Sequence, residues 1–177
     1  MKKIAFILFS VLAVMVSNAQ TVHEITLEDI FKNGTYRSES VKGLRSMNDG
    51  VHYITMENQT KIVKNSYATG EEVAVLFDIS QIEDAPINSF SDYEFSEDET
   101  KILFTTDRKK IYRRSFTAQY YVWNFLTEEF FPLSENGPQQ AATFSPDGDR
   151  IAFARDNNLF IKNLKFGSES QITYDGK

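Results

Sequence analysis

Apolar and polar residues alternate along this chain in short runs, each introduced by a turn sequence, and the runs repeat. Phe144-Ser145-Pro146-Asp147-Gly148 leads into Arg150-Ile151-Ala152-Phe153-Ala154. An earlier copy is Phe95-Ser96-Glu97-Asp98-Glu99 followed by Lys101-Ile102-Leu103-Phe104-Thr105, and a fainter one is Ser46-Met47-Asn48-Asp49-Gly50 followed by Val51-His52-Tyr53-Ile54-Thr55. A period of two bounded by Asp-Gly-type turns predicts strands. The turn aspartates at 49, 98 and 147 are evenly spaced by 49 residues, so the chain contains three copies of one unit.

Each unit reads as a four-stranded antiparallel meander: strand, turn, strand, hairpin, strand, turn, strand. In the last copy the hairpin is Asp156-Asn157-Asn158, the third strand Leu159 to Asn163 and the fourth Ser170 to Tyr174. Four strands in a period of roughly 40 to 50 residues are the mark of a β-propeller blade. The expected fold is all-β: about three blades of an incomplete propeller over residues 20–177, because closure takes roughly four to eight blades. A fragment of a longer protein is the expectation, a short open array capped by a partner chain the alternative. Ahead of the blades, Thr26 with Asp29 three residues on predicts a capping box for a short helix from about Leu27 to Lys32, with Gly34 to end it.

The middle unit is longer than the others. Sixteen residues separate Asp49 from Asn65 and Asp147 from Asn163, but 26 separate Asp98 from Asn124, which places about ten extra residues between its second and third strands, in 107–117. The insertion holds Arg108, Lys109, Lys110, Arg113 and Arg114. Insertions in repeat folds fall in loops on one face, often the binding face. A localised cationic loop suits a carboxylate, a carbonyl oxygen or an acidic partner surface; solvation of a long hairpin is the plainer reading.

The first nineteen residues follow a different pattern. Lys2 and Lys3, the apolar run Ile4 to Val16, and small residues at Ser17 and Ala19 form a secretory signal peptide, which predicts an exported chain, periplasmic, secreted or at the cell surface. The apolar run is too short for a mature membrane span, and no other run approaches the roughly 20 residues needed. Net charge is −6 for the whole sequence and close to −8 without Lys2 and Lys3, which disfavours nucleic acid as a partner. With no cysteine in the sequence, disulfides, a thiol nucleophile, a thiolate metal site and an N-terminal lipid-bearing cysteine are all excluded.

Other candidate chemistry is thin. Glu71-Glu72 and Glu128-Glu129 look like paired carboxylates but follow turns at equivalent points of their units, which suits hairpin solubility. His23 and His52 lack acidic neighbours in a recurrent metal spacing, and His52 sits on a predicted strand, so no metal or other cofactor is expected. There is no Gly-x-Ser-x-Gly elbow, phosphate-binding loop or dinucleotide motif. Asn33-Gly34-Thr35 and Asn58-Gln59-Thr60 match the glycosylation sequon, a short and unspecific pattern.

One stretch is more specific. Tyr112-Arg113-Arg114-Ser115-Phe116-Thr117-Ala118-Gln119-Tyr120, followed by Val122-Trp123-Asn124, resembles the Trp/Tyr-Arg-His-Ser-Tyr-Thr-Ala-x-Tyr stretch of dipeptidyl peptidase IV propellers. Thr143 to Gly148, with Ile151-Ala152-Phe153 and Asp156 to Lys162, is similar to that family's next blade, and Thr26-Leu27-Glu28-Asp29, Tyr36-Arg37 and Arg45-Ser46 to its N-terminal segment. The resemblance covers essentially all of 20–177 and is strongest to bacterial members. It implies an eight-bladed propeller followed by an α/β-hydrolase domain in a serine exopeptidase of the prolyl oligopeptidase type. Its substrates would be peptides with Pro or Ala at the second position, and the full-length enzyme a homodimer. It also implies that Arg113 donates hydrogen bonds to a substrate carbonyl oxygen. Arg114 replaces the family's frequent His and is the second candidate for that role. The family's amine-recognising glutamate pair and catalytic serine, aspartate and histidine would lie beyond Lys177, so Glu128-Glu129 is not that pair and the chain alone should hydrolyse nothing. The competing expectation is a non-enzymatic exported propeller whose cationic insertion binds a protein partner.

Overall fold

A computed structural model describes residues 24–38 and 40–176; the proposed signal peptide and His23 lie outside them. The described residues fall into two units, one through Ser40 and one from Val41 onward. The first holds the helix α1 (Leu27–Phe31), which ends one residue before its expected limit. Its capping box forms as its sequence dictates: the Thr26 hydroxyl accepts from the Asp29 N–H at 3.1 Å, and the Asp29 carboxylate accepts from the Thr26 N–H at 3.3 Å.

The second unit is three four-stranded antiparallel sheets in sequence order. Blade 1 is β1 (Arg45–Ser46), β2 (His52–Glu57), β3 (Lys61–Ser66) and β4 (Glu72–Asp78). Blade 2 is β5 (Asp92–Phe95), β6 (Lys101–Lys110), β7 (Phe116–Asn124) and β8 (Glu129–Pro132). Blade 3 is β9 (Gln140–Phe144), β10 (Arg150–Arg155), β11 (Asn158–Asn163) and β12 (Glu169–Gln171). The last strand starts one residue earlier and ends three earlier than its sequence pattern suggests; past it Ile172 still donates to the Leu159 carbonyl at 2.8 Å.

The repeated aspartates hold the first turn of every blade. Asp49 accepts from the N–H groups of Val51 and His52, Asp98 from Thr100, and Asp147 from Asp149. The Ser96 and Ser145 hydroxyls donate to Asp98 and Asp147 and accept from the N–H groups of Lys101 and Arg150, which closes the turn onto the following strand. This is why one residue type recurs with the blade period: the carboxylate replaces backbone partners that a tight turn leaves unsatisfied.

Two apolar clusters lie between the blades. Between blades 1 and 2 are Ile54, Ile62, Phe77, Phe90, Tyr93, Ile102 and Phe104; between blades 2 and 3 are Leu103, Ala118, Tyr120, Val122, Leu133, Ile151, Phe153 and Phe160. β6 feeds both, with Ile102 and Phe104 on one face and Leu103 on the other, so its burial is continuous from Ile102 to Thr106. In β10 only Ile151 and Phe153 are buried while Ala152 is exposed. Fully burying a side chain of this size contributes roughly 1.5–3 kcal/mol, so a strand packed on both faces is the firmest part of the unit.

Candidate functional site

The ten surplus residues of the middle unit lengthen β6 and β7 into an arm. The other two units turn between these strands within a few residues: Glu57 pairs with Lys61 in blade 1 and Arg155 with Asn158 in blade 3. In blade 2 the ladder continues past the core to Lys109–Thr117 and Lys110–Phe116. Its tip closes where the N–H groups of Ile111 and Tyr112 both donate to the Ser115 carbonyl, at 2.9 and 3.2 Å.

Alternation of strand direction puts the arm at the end of the sheet where the chain passes between blades. Its root is tied there. Ala118 and Gln139 exchange backbone hydrogen bonds of 2.9 and 2.8 Å, Leu133 donates to the Tyr120 carbonyl at 2.8 Å, and Gln139 is fully buried.

The arm carries the predicted residues. Arg113 and Arg114 are exposed on the tip, and both line a recess of about 320 Å³ together with Arg108, Lys110, Tyr112, Ser115 and Phe116. Among the described residues no carboxylate lies within 4.0 Å of any of the five arm cations. Arg45, Lys61, Lys64, Arg150 and Arg155, by contrast, each pair with an Asp or Glu. The arm therefore projects uncompensated positive charge from a chain of net charge −6. Guanidinium groups with free N–H forks can bind a carbonyl or carboxylate oxygen bidentately. The Arg108 guanidinium is engaged differently, 3.7 Å from the centre of the Phe116 ring.

The remaining sequence candidates do not join this site. Glu71-Glu72 lies at the start of β4 and Glu128-Glu129 at the start of β8, as turn residues; the Glu71 N–H donates to the Thr69 hydroxyl and the Thr127 hydroxyl to Glu129. His52 Nδ1 is 2.6 Å from an Asp49 carboxylate oxygen that Lys64 also reaches at 3.2 Å, a cluster within blade 1. The bonds that His52 and Lys64 make hold the Asp49 carboxyl well below the usual range, the His52 contact most of all. Among the described residues no three His, Asp or Glu side chains converge to hold a metal ion, and no helix is long and apolar enough to cross a membrane.

Two further features are visible only in three dimensions. A latch sits where the chain enters blade 3: Arg155 bonds Glu169 at 2.7 Å and the Ser134 hydroxyl at 2.8 Å, and its guanidinium lies 4.1 Å from the Phe160 ring centre. The other is an irregularity in β6 just before the arm, where Asp107 has φ +48°. Neither has a local sequence signal, since the partners are distant in sequence and Asp107 is not glycine.

Comparison with known proteins is consistent along the chain. Residues 96–177, from the first turn of blade 2 onward, match the model of the dipeptidyl peptidase IV N-terminal region. The crystal structure of Porphyromonas gingivalis dipeptidyl peptidase 4 superimposes with a TM-score of 0.78 at 40% identity, over 88% of this chain and 22% of that one. The probable dipeptidyl peptidase 4 of Emericella nidulans is 36% identical over 78% of this chain and 17% of its own length. The prolyl endopeptidase FAP of Bos taurus is 28% identical over 91% of this chain and 20% of its own. The chain thus spans about a fifth of the length of these relatives. The three blades are the N-terminal propeller part of a dipeptidyl peptidase IV-type chain.

Proposed function

We propose that this chain is the exported propeller portion of a serine exopeptidase that releases X-Pro and X-Ala dipeptides from peptide N-termini. The blades supply scaffold, and Arg113 supplies a hydrogen-bonding fork for a substrate carbonyl oxygen, with Arg114 as the alternative donor. The observation that supports this reading most directly is the arm itself: a braced hairpin presenting unpaired guanidinium groups, inside the stretch that matches the family region. A charge-assisted bond of this kind is worth about 1.5–3 kcal/mol, so Arg113→Ala in the full-length protein should lower kcat/KM on an X-Pro amide about ten- to a hundredfold. Unchanged kinetics would return Arg113 to hairpin solvation, and a loss confined to Arg114→Ala would move the role there. The present chain alone should not turn over Gly-Pro amide. The five exposed cations also fit a non-enzymatic scaffold that docks an acidic protein surface. A full-length protein inactive on X-Pro amides would favour that reading.

A further inference from the structure

The arm leaves the core with a change of strand parity. Up to Thr106, β6 alternates regularly: Leu103 and Thr105 face blade 3 opposite Val122 and Tyr120, while Ile102, Phe104 and Thr106 face blade 1. Thr106 pairs with Gln119, and the next pair is Lys109 with Thr117, so three steps on one strand answer two on the other. That is a one-residue β-bulge, and Asp107 accommodates it in the left-handed region that Asp tolerates better than most residues.

The bulge decides where Arg108 goes. Under unbroken alternation Arg108 would share the face of Phe104 and Thr106, away from Phe116, which follows the parity of Ala118 and Tyr120. With one residue inserted, the guanidinium stands 3.7 Å from the Phe116 ring centre. Phe116 in turn packs on the cluster between blades 2 and 3. The stack therefore joins the exposed arm to the buried core three residues from Arg113. A two-stranded ribbon outside a core is only marginally ordered unless something pins it.

We infer that Arg108 is a positioning residue of the arm: the Asp107 bulge delivers it onto Phe116, and the stack fixes where the tip guanidinium stands. The inference rests on the reading that Arg113 meets substrate. Arg108 itself touches no reacting group. It lowers the conformational freedom that the arm would lose on binding, so its removal should weaken binding and leave the chemical step alone.

The test uses the full-length protein, kcat and KM on an X-Pro amide, and amide exchange at Ile111, whose N–H closes the tip. Arg108→Ala is expected to raise KM about two- to fivefold with kcat unchanged and to speed exchange at Ile111 by a similar factor. Arg108→Lys, which can still stack a cation, should recover part of both effects. Phe116→Leu should match Arg108→Ala, and the double variant should be no worse than either single one. Unchanged Ile111 exchange in Arg108→Ala, or additive effects in the double variant, would overturn the inference. If Arg113→Ala raises KM and Arg108→Ala does not, the inference fails and the substrate reading stands; if Arg113→Ala and Arg114→Ala are both silent, the substrate reading itself fails.

Discussion

Gly43 offers a test of how tightly blades 1 and 2 are fitted together. It has φ +62°, its carbonyl accepts a hydrogen bond from the fully buried Tyr93, and an added Cβ would lie 2.9 Å from both Met56 Cβ and Tyr93 Cε1. Two terms oppose Gly43→Ala. The left-handed backbone costs an alanine about 1–2 kcal/mol, partly offset by about 0.4–1 kcal/mol because alanine restricts the unfolded chain. Crowding a packed site costs about 1–3 kcal/mol more, since neither Met56 Cβ nor a ring held by a hydrogen bond can withdraw cheaply. Gly50 isolates the first term: its φ is +69°, and an added Cβ would meet nothing within 4 Å. Gly50→Ala should therefore lose about 1 kcal/mol and Gly43→Ala about 1–3 kcal/mol more. Urea unfolding followed by fluorescence of Trp123, the single tryptophan, reports directly on this interface, because its ring lies 5.6 Å from Phe77. If the two variants unfold within about 0.5 kcal/mol of each other, the close approach at Gly43 has been misjudged.

Two further outcomes follow from the turn and latch geometries. The Ser96 hydroxyl, then Thr100, hold the Asp98 carboxyl at a pKa of about 2 against an ordinary 3.8. Because the folded value is the lower one, this contribution is complete above about pH 4 and fades as pH falls toward 2; Asp98→Asn should flatten the acid limb of the stability curve over that window, and an unaltered limb would count against it. Arg155→Ala takes the cation from Glu169, whose side chain is 14% exposed and keeps the Asn136 amide at 3.3 Å, and should cost about 3 kcal/mol, whereas Arg155→Met with Glu169→Leu should cost less than the single change; thermal unfolding of the two proteins decides.

The parts of this molecule legible in sequence are those where one residue does a local job. Asp49, Asp98 and Asp147 each satisfy a turn a few residues long, so their spacing revealed the blade period and the surplus in the middle unit. Thr26 and Asp29 announce α1 for the same reason. The continuous run Ile102-Leu103-Phe104 is a weaker sign, because its burial on both faces comes from a neighbouring blade on each side. What stayed hidden depends on register. The bulge at Asp107 uses a residue that commonly marks ordinary turns, and the Arg108–Phe116 stack exists only because that bulge shifts parity by one. Arg113 stands out only through its resemblance to a family motif; by composition it is one of five cations in an insertion.

The placement of the arm follows from the same packing. β6 and β7 are central strands of the blade that is covered on both faces among those described, and their last core residues, Thr106 and Ala118, are buried where the arm begins. Backbone bonds to Gln139 close one edge of the root, and the blade 2–3 cluster supports Phe116. A cationic hairpin repels itself and gains little from its own two strands, so it needs an anchorage that does not fluctuate. The middle blade provides one because the burial that stabilises the repeat also immobilises the strands from which the arm grows. Apart from the Arg108–Phe116 stack, lengthening this hairpin adds presented charge without asking its exposed residues to pack, which is why most of the insertion can be polar while the blade beneath it remains apolar.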